Sequence, residues 1–181
     1  LKPDTAAGAE QEGAVAPADV GEAQRLLRHW RETVPEDRLA HLIRDVARAQ
    51  MRALQRRLAA HGVSFGHWTY LRILWAEDGL TQRELSARAG VMEPTTGSAV
   101  RAMELLGLVQ RRQLGGNRKN VHVFLTPQGA ALRTRLVPLA EDVNRASLEG
   151  LDAGDVGTVR RCLLAVIENL ARDEAGGNPA A

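Results

Sequence analysis

Apolar residues recur at helical spacing along most of this chain and alternate with polar ones in one short region. Val20, Leu26, Leu27 and Trp30 predict a short helix over 19–32, and Val34-Pro35 ends it. From Pro35 to His61, Leu39, Leu42, Ile43, Val46, Ala53, Leu54 and Leu58 form the stripe of a long helix. Its other faces carry Arg38, Arg44, Arg48, Arg52, Arg56 and Arg57. Ser64 is placed to cap a third helix reaching about Ala76. Thr81 with Glu84 three residues on predicts a capping box, and Gly90 breaks the helix that follows. Glu93-Pro94 opens the next helix, and Gly107 lies where a left-handed residue would close it. Leu108–Arg112 and Val121–Leu125 read as strands joined through Gly115-Gly116-Asn117. Thr126-Pro127 opens a long helix that Pro138 should kink or interrupt. Asp152 or Asp155 starts the last helix, with Val156, Val159, Leu163, Ile167 and Leu170 as its stripe.

The expected fold is mainly α with a small β-wing. Two short helices followed by a hairpin with a basic, glycine-rich tip form a winged helix-turn-helix, an architecture that reads DNA. The expected organisation is a disordered tail over 1–18, N-terminal helices over 19–62, the winged module over 63–126, C-terminal helices over 127–172 and a frayed tail over 173–181. The flanking helices carry more apolar stripe than a small winged module can cover. Coiling of the N- and C-terminal segments of two chains would bury it; a monomeric helical cap is the plainer alternative.

At 181 residues and 44% apolar composition the chain can bury a sizeable core. Its net charge of +2 hides an uneven distribution. Residues 81–126 hold seven Lys/Arg against three Glu, whereas residues 1–20 hold one Lys against four Asp/Glu. A basic module behind an acidic tail suits phosphate binding, although a solvated charged face gives the same count. With Cys162 as the only cysteine, no intrachain disulfide can form. No membrane-length apolar run and no signal-peptide pattern occur, so a cytoplasmic protein is expected.

Pro94, Thr95, Thr96, Ser98 and Arg101 supply small polar and basic groups near the start and outer face of the second module helix, where base edges and phosphates are reached. One of the two threonines could instead serve only the capping turn. Gly97 costs about 1 kcal/mol against alanine inside a helix. Close approach to DNA or to a neighbouring helix would explain it, and so would drift at a tolerant site. At the hairpin tip Asn117, Arg118, Lys119 and Asn120 offer two cations and two amides suited to a minor groove. Arg111 and Arg112 alternate faces, so only one can face DNA.

A second cluster is aromatic. Four of the six aromatic residues, Phe65, Trp68, Tyr70 and Trp75, fall within eleven positions. Helical spacing puts Ser64, His67, Trp68, Leu71, Arg72 and Trp75 on one broad side. Aromatic walls with a hydroxyl, an imidazole and a guanidinium suit a small aromatic carboxylate, with Arg72 or Arg48 as its cation. Membership of the core is the competing explanation for Trp68, Leu71 and Trp75.

LTQRELSARAGV, AMELLGLVQRR and NRKNVHVFLTPQG, in that order and spacing, resemble the MarR family of transcription regulators over roughly residues 39–170. The chain departs from the family at Asn117, where an aspartate often precedes the wing arginine. It departs also at Met92, where a polar N-cap is usual, and at Gly97 and Ser98, where larger residues are common. The resemblance implies a homodimer on a pseudo-palindromic operator in double-stranded DNA. It also implies a ligand pocket where the dimerisation helices meet the winged module. The run SFGHWTYLRILW resembles a subgroup controlling degradation of aromatic and N-heteroaromatic acids, of the nicotinate type with a hydroxynicotinate inducer. That implies a repressor released by a small aromatic acid.

Other chemistry finds little support. His29, His41, His61, His67 and His122 lack compact ligand spacing, so neither a metal nor another cofactor is expected. Cys162, within Arg-Cys-Leu-Leu on a late apolar helix, reads as core rather than sensor. No nucleophile–base–acid set or phosphate loop appears, so an enzyme is not expected. The alternatives are a regulator of efflux or stress genes with a different effector, or a winged-helix module that binds a protein.

Overall fold

The computed structural model describes residues 17–32, 39–113 and 121–176. The tails at 1–16 and 177–181, the 33–38 break and the wing tip at 114–120 lie outside the described residues. The chain divides into two compact units, 1–49 and 50–181.

In the first unit, α1 (Pro17–Glu32) and the start of α2 (Leu39–Ala59) follow the predicted stripes. Asp45 accepts a 3.2 Å hydrogen bond from Trp30 Nε1. The α2 stripe behaves in two ways. Leu39, Leu42 and Val46 are exposed, whereas Leu54 and Leu58, in the second unit, are buried.

The second unit contains the winged module. Its elements are α3 (Phe65–Ala76), β1 (Leu80–Thr81), α4 (Gln82–Ala89), α5 (Glu93–Leu105), β2 (Val109–Gln113) and β3 (Val121–Leu125). Ser64 caps α3 as expected, its Oγ accepting the His67 amide at 3.1 Å. The Thr81–Glu84 capping box is fully formed. Glu84 Oε2 accepts from Thr81 N at 2.8 Å, and Thr81 Oγ1 accepts from Glu84 N at 3.2 Å. Gly90 and Gly107 take the left-handed conformation (φ 66° and 69°) that ends α4 and α5.

The sheet has the order β1-β3-β2, antiparallel throughout. The residue pattern carries no sign of β1, since two residues are too few to show alternation. Leu80 pairs with Val123, and the turn before it is tied in by Gly79 N to Val123 O and Leu125 N to Asp78 Oδ1. In the hairpin Arg111 lies opposite Val123 and Arg112 opposite His122. Val109 and Val123 are buried on one face, with Val100 and Met103 of α5 and Leu85 of α4 in the same core.

After the wing, the expected long helix is divided differently from the prediction. It comprises α6 (Pro127–Ala131) and α7 (Arg133–Ser147), and α7 runs through Pro138. The break falls at Leu132, whose carbonyl accepts from both Arg135 N and Leu136 N, a local tightening of the turn. Gly129 in α6 explains why this segment sits close to the wing. A Cβ there would stand 2.0 Å from Leu108 O, so only glycine allows the approach. Trp75 Nε1 donates to Gly129 O at 2.9 Å on the other side.

The last helix, α8 (Ala153–Gly176), starts behind reciprocal bonds between Asp152 and Asp155 and runs further than expected, past Asp173. Its stripe is wet: Val159, Leu163, Ile167 and Leu170 are all exposed. Cys162, expected in the core, is exposed too, because α8 buries none of its residues fully among the described part of the single chain. Among the described residues no helix is long and apolar enough to cross a membrane.

One ion pair locks α5 to β2. Glu104 accepts from Arg111 Nε at 2.8 Å, from the second guanidinium nitrogen at 2.7 Å and from the Arg111 amide at 3.2 Å. These bonds, the side-chain bond foremost, hold the Glu104 carboxyl below the usual glutamate range. A carboxyl whose folded pKa is depressed stabilises the fold above its unfolded value and loses that contribution as pH falls through the folded value. Glu104→Gln should therefore lose less stability than the unsubstituted chain between neutral pH and the acid side of the glutamate range. Urea unfolding across that window checks this, and parallel acid profiles would contradict it.

Candidate nucleic-acid interface

The helix α5 turns one face to the core and one to solvent. Thr96, Gly97, Val100 and Met103 are buried, whereas Pro94, Thr95, Ser98, Arg101 and Leu105 are exposed. Three of the groups chosen from sequence thus share the outer surface with Pro94. Thr96 does not. It is fully buried, and its Oγ1 lies 3.2 Å from the hydroxyl of Tyr70, itself buried in α3. Helical periodicity explains the correction: 96, 100 and 103 are the apolar-facing positions. Thr96 is therefore a positioning group that sets the rotation of α5 and cannot reach a base edge.

On the outer face the polar groups form a chain. Ser98 Oγ donates to Pro94 O at 3.1 Å, and an Arg101 guanidinium nitrogen donates to Ser98 Oγ at 3.3 Å. Arg101 is held in this way by a neutral partner and keeps its charge unneutralised among the described residues. Met92 occupies the N-cap with no side-chain bond and is 76% exposed, so the helix start is left open to a phosphate or a base. A Cβ on Gly97 would meet nothing nearer than 3.8 Å. Protein packing therefore does not require the glycine.

The sheet divides its two arginines. Arg111 shares the inner face with Val109 and Val123 and is neutralised by Glu104. Arg112 is on the outer face, with its guanidinium 5.4 Å from the Phe124 ring centroid. His122, directly opposite, stacks on Phe124, and its Nδ1 lies 2.8 Å from Gly79 O. The carbonyl can only accept, so Nδ1 carries the proton and Nε2 is the ring's other nitrogen. Sequence alternation showed that one arginine faces outward, and the position of Glu104, seven residues earlier, decides which. Asn117, Arg118, Lys119 and Asn120 lie outside the described residues.

The expected effector residues are not brought together as one open wall. Trp68 and Leu71 are buried in the core, Trp68 edge-to-face with Trp75 at 5.6 Å. The Ser64 hydroxyl is engaged as the α3 cap. Arg72 is exposed, and Arg48 is an exposed residue of the first unit. His67 is the exception to this quiet arrangement. It is half-buried, Nδ1 has neither solvent nor a hydrogen-bond partner among the described residues, and burial lowers its pKa below the ordinary histidine value.

Comparison with known proteins agrees with this geometry. The MarR family model matches residues 63–121. The regulator TtmR of Methylorubrum extorquens (strain PA1) is 29% identical over 141 residues, covering 77% of this chain and 68% of its own. The repressor NicR of Pseudomonas putida is 26% identical, over 78% of this chain and 87% of its own. Among solved structures, transcriptional regulator PA3341 is 30% identical with a TM-score of 0.64, covering 74% of this chain and 98% of that one. A MarR family regulator from Listeria monocytogenes, solved with a 26mer DNA, has a TM-score of 0.67 at 24% identity, covering 81% and 99%. With a helix-turn-helix and a three-stranded wing sheet in place, and the family model matching residues 63–121, the chain belongs to the MarR family of winged-helix transcriptional regulators.

Proposed function

We propose that the chain is a homodimeric repressor that binds a pseudo-palindromic operator and is released by a small aromatic carboxylate, with a hydroxynicotinate as the first candidate. The observation that carries the DNA-binding half is the outer face of α5, where Thr95, Ser98 and an Arg101 without an ion-pair partner among the described residues follow an open helix start. In this reading α5 lies in the major groove. Arg112 and the wing residues Asn117, Arg118, Lys119 and Asn120 meet the backbone and the adjacent minor groove.

The exposed stripes of α8 and of early α2 support the dimer. Burying a large apolar side chain is worth roughly 1.5–3 kcal/mol, and these stripes hold several that one chain leaves in water. The effector half rests on His67. A buried ring nitrogen without a partner is a cost that a ligand hydroxyl or carboxyl would remove. Arg72 is the cation for its carboxylate. The likeness to NicR, a repressor, supports the same class of regulator.

Three measurements test these parts. Replacing Arg101, Arg112 or Arg118 by Ala should weaken binding to duplex DNA and lower the salt slope by about one for each phosphate no longer neutralised. Ser98→Ala should shift the preferred bases. An unchanged slope in all three arginine variants contradicts the interface. In solution, light scattering at micromolar concentration should give twice the chain mass; a monomer contradicts the dimer. Calorimetric titration with a hydroxynicotinate should show binding that His67→Ala weakens while operator affinity without ligand stays the same. Unchanged ligand affinity in a folded His67→Ala protein removes His67 from the site.

A further inference from the structure

The turn from α4 into α5 presents an apolar run to solvent. Val91 is 40% and Met92 76% exposed, and Pro94, two residues on, is exposed as well. We propose that Met92 is a specificity-determining residue that reads a thymine by its C5-methyl group in the major groove. The inference rests on the reading of α5 as the DNA-facing helix and names a base contact that reading leaves open.

Met92 serves neither cap nor core. It stands at the N-cap of α5, where serine, threonine, aspartate or asparagine would accept an amide, and its side chain makes no such bond. The turn around it is firmly held all the same. Ser86, buried in α4, donates from Oγ to Val91 O, and its carbonyl accepts from Val91 N at 3.2 Å. Met92 O in turn accepts from Thr95 N at 3.0 Å and Thr96 N at 3.2 Å, and Thr96 is fixed in the core beside Tyr70. The backbone of Met92 is thus anchored on both sides while its side chain is left in water. The exposed residues that follow along α5, Thr95, Ser98 and Arg101, are those proposed above to meet DNA.

The neighbours of this side chain decide what it suits. Glu93, exposed at the first position of α5, sets a carboxylate at the positive end of the helix, where a phosphate would otherwise bind. An apolar thioether next to a carboxylate is a poor partner for the DNA backbone. Among the base-edge groups of the major groove, the thymine C5-methyl is the apolar one. Covering it with Met92 removes apolar surface of both from water. The unbranched, flexible methionine chain can adapt to where that methyl lies.

The test uses the full chain and a duplex that it selects from a random-sequence library. Each thymine of that duplex is replaced in turn by deoxyuridine, which removes the methyl alone. The unsubstituted chain should lose about fourfold in affinity at one thymine of each half-site, the worth of one buried methyl. Met92→Ala should bind the thymine and deoxyuridine duplexes equally at that position. Met92→Ser should do the same and, because serine restores a cap, should melt no lower than the unsubstituted chain. The assignment is overturned if no deoxyuridine weakens binding of the unsubstituted chain, or if Met92→Ala keeps the difference. Thr95→Ser removes the neighbouring exposed methyl; loss of the difference there, with Met92→Ala unaffected, gives the contact to Thr95 and overturns the assignment too. A library that yields no bound duplex overturns this inference together with the DNA-facing reading of α5, whereas a selected duplex without methyl dependence overturns this one alone.

Discussion

The orientation of everything on the outer surface of the winged module depends on the buried contact between Tyr70 and Thr96. Two hydroxyls meet at 3.2 Å with no access to water. Net, such a bond contributes about 0.5–1.5 kcal/mol, but leaving one partner alone in the core costs about 1–3 kcal/mol. That asymmetry opposes any rotation of α5 about its axis. A turn of one residue would bring Ser98 or Thr95 inward and strand Tyr70. Val100 and Met103, on the same face and fully buried, add apolar surface that rotation would expose. The polar chain from Pro94 through Ser98 to Arg101 faces outward for this reason.

A second constraint fixes the wing sheet to the helices behind it. Leu108 O accepts from Thr126 N and Thr126 Oγ1, and it faces Gly129 at a distance no side chain allows. Trp75 closes the same seam from α3. In the middle of β2, Glu104 binds the Arg111 amide and guanidinium together. The hairpin therefore leaves the core in a direction set at the start and the middle of its first strand. Arg111 is used up in that task, which leaves Arg112, propped on Phe124, as the outward cation of the strand.

Most of the architecture was legible in the sequence because its signals are local. Caps at Ser64, Thr81 and Thr126, glycines at 90 and 107, and strand alternation each act over a few residues, and each is formed as expected. The features that escaped are those set by distant partners. The strand β1 exists only because β3 offers it an edge. Leu132 rather than Pro138 marks the bend, in a segment that Gly129 holds close to Leu108. At the site, composition could pick out Thr95, Thr96, Ser98 and Arg101 but could not tell inside from outside for adjacent threonines. The aromatic cluster was misleading for a related reason. Trp68 and Leu71 lie at spacing compatible with a pocket wall or a core, and burial assigns them to the core.

Regulation by a winged helix requires that the two faces of α5 keep separate tasks, one packing and one reading. Thiol reactivity tests this division most directly. Cys162, the only native thiol and an exposed one, is first replaced by Ser. Ser98→Cys and Thr96→Cys are then introduced separately, and alkylation is followed with and without saturating duplex DNA. The account predicts rapid alkylation of Ser98→Cys in the free protein, strong protection when DNA is bound, and a slow, DNA-independent reaction of Thr96→Cys. Equal reactivity at the two positions, or no protection of Ser98→Cys by bound DNA, would contradict it.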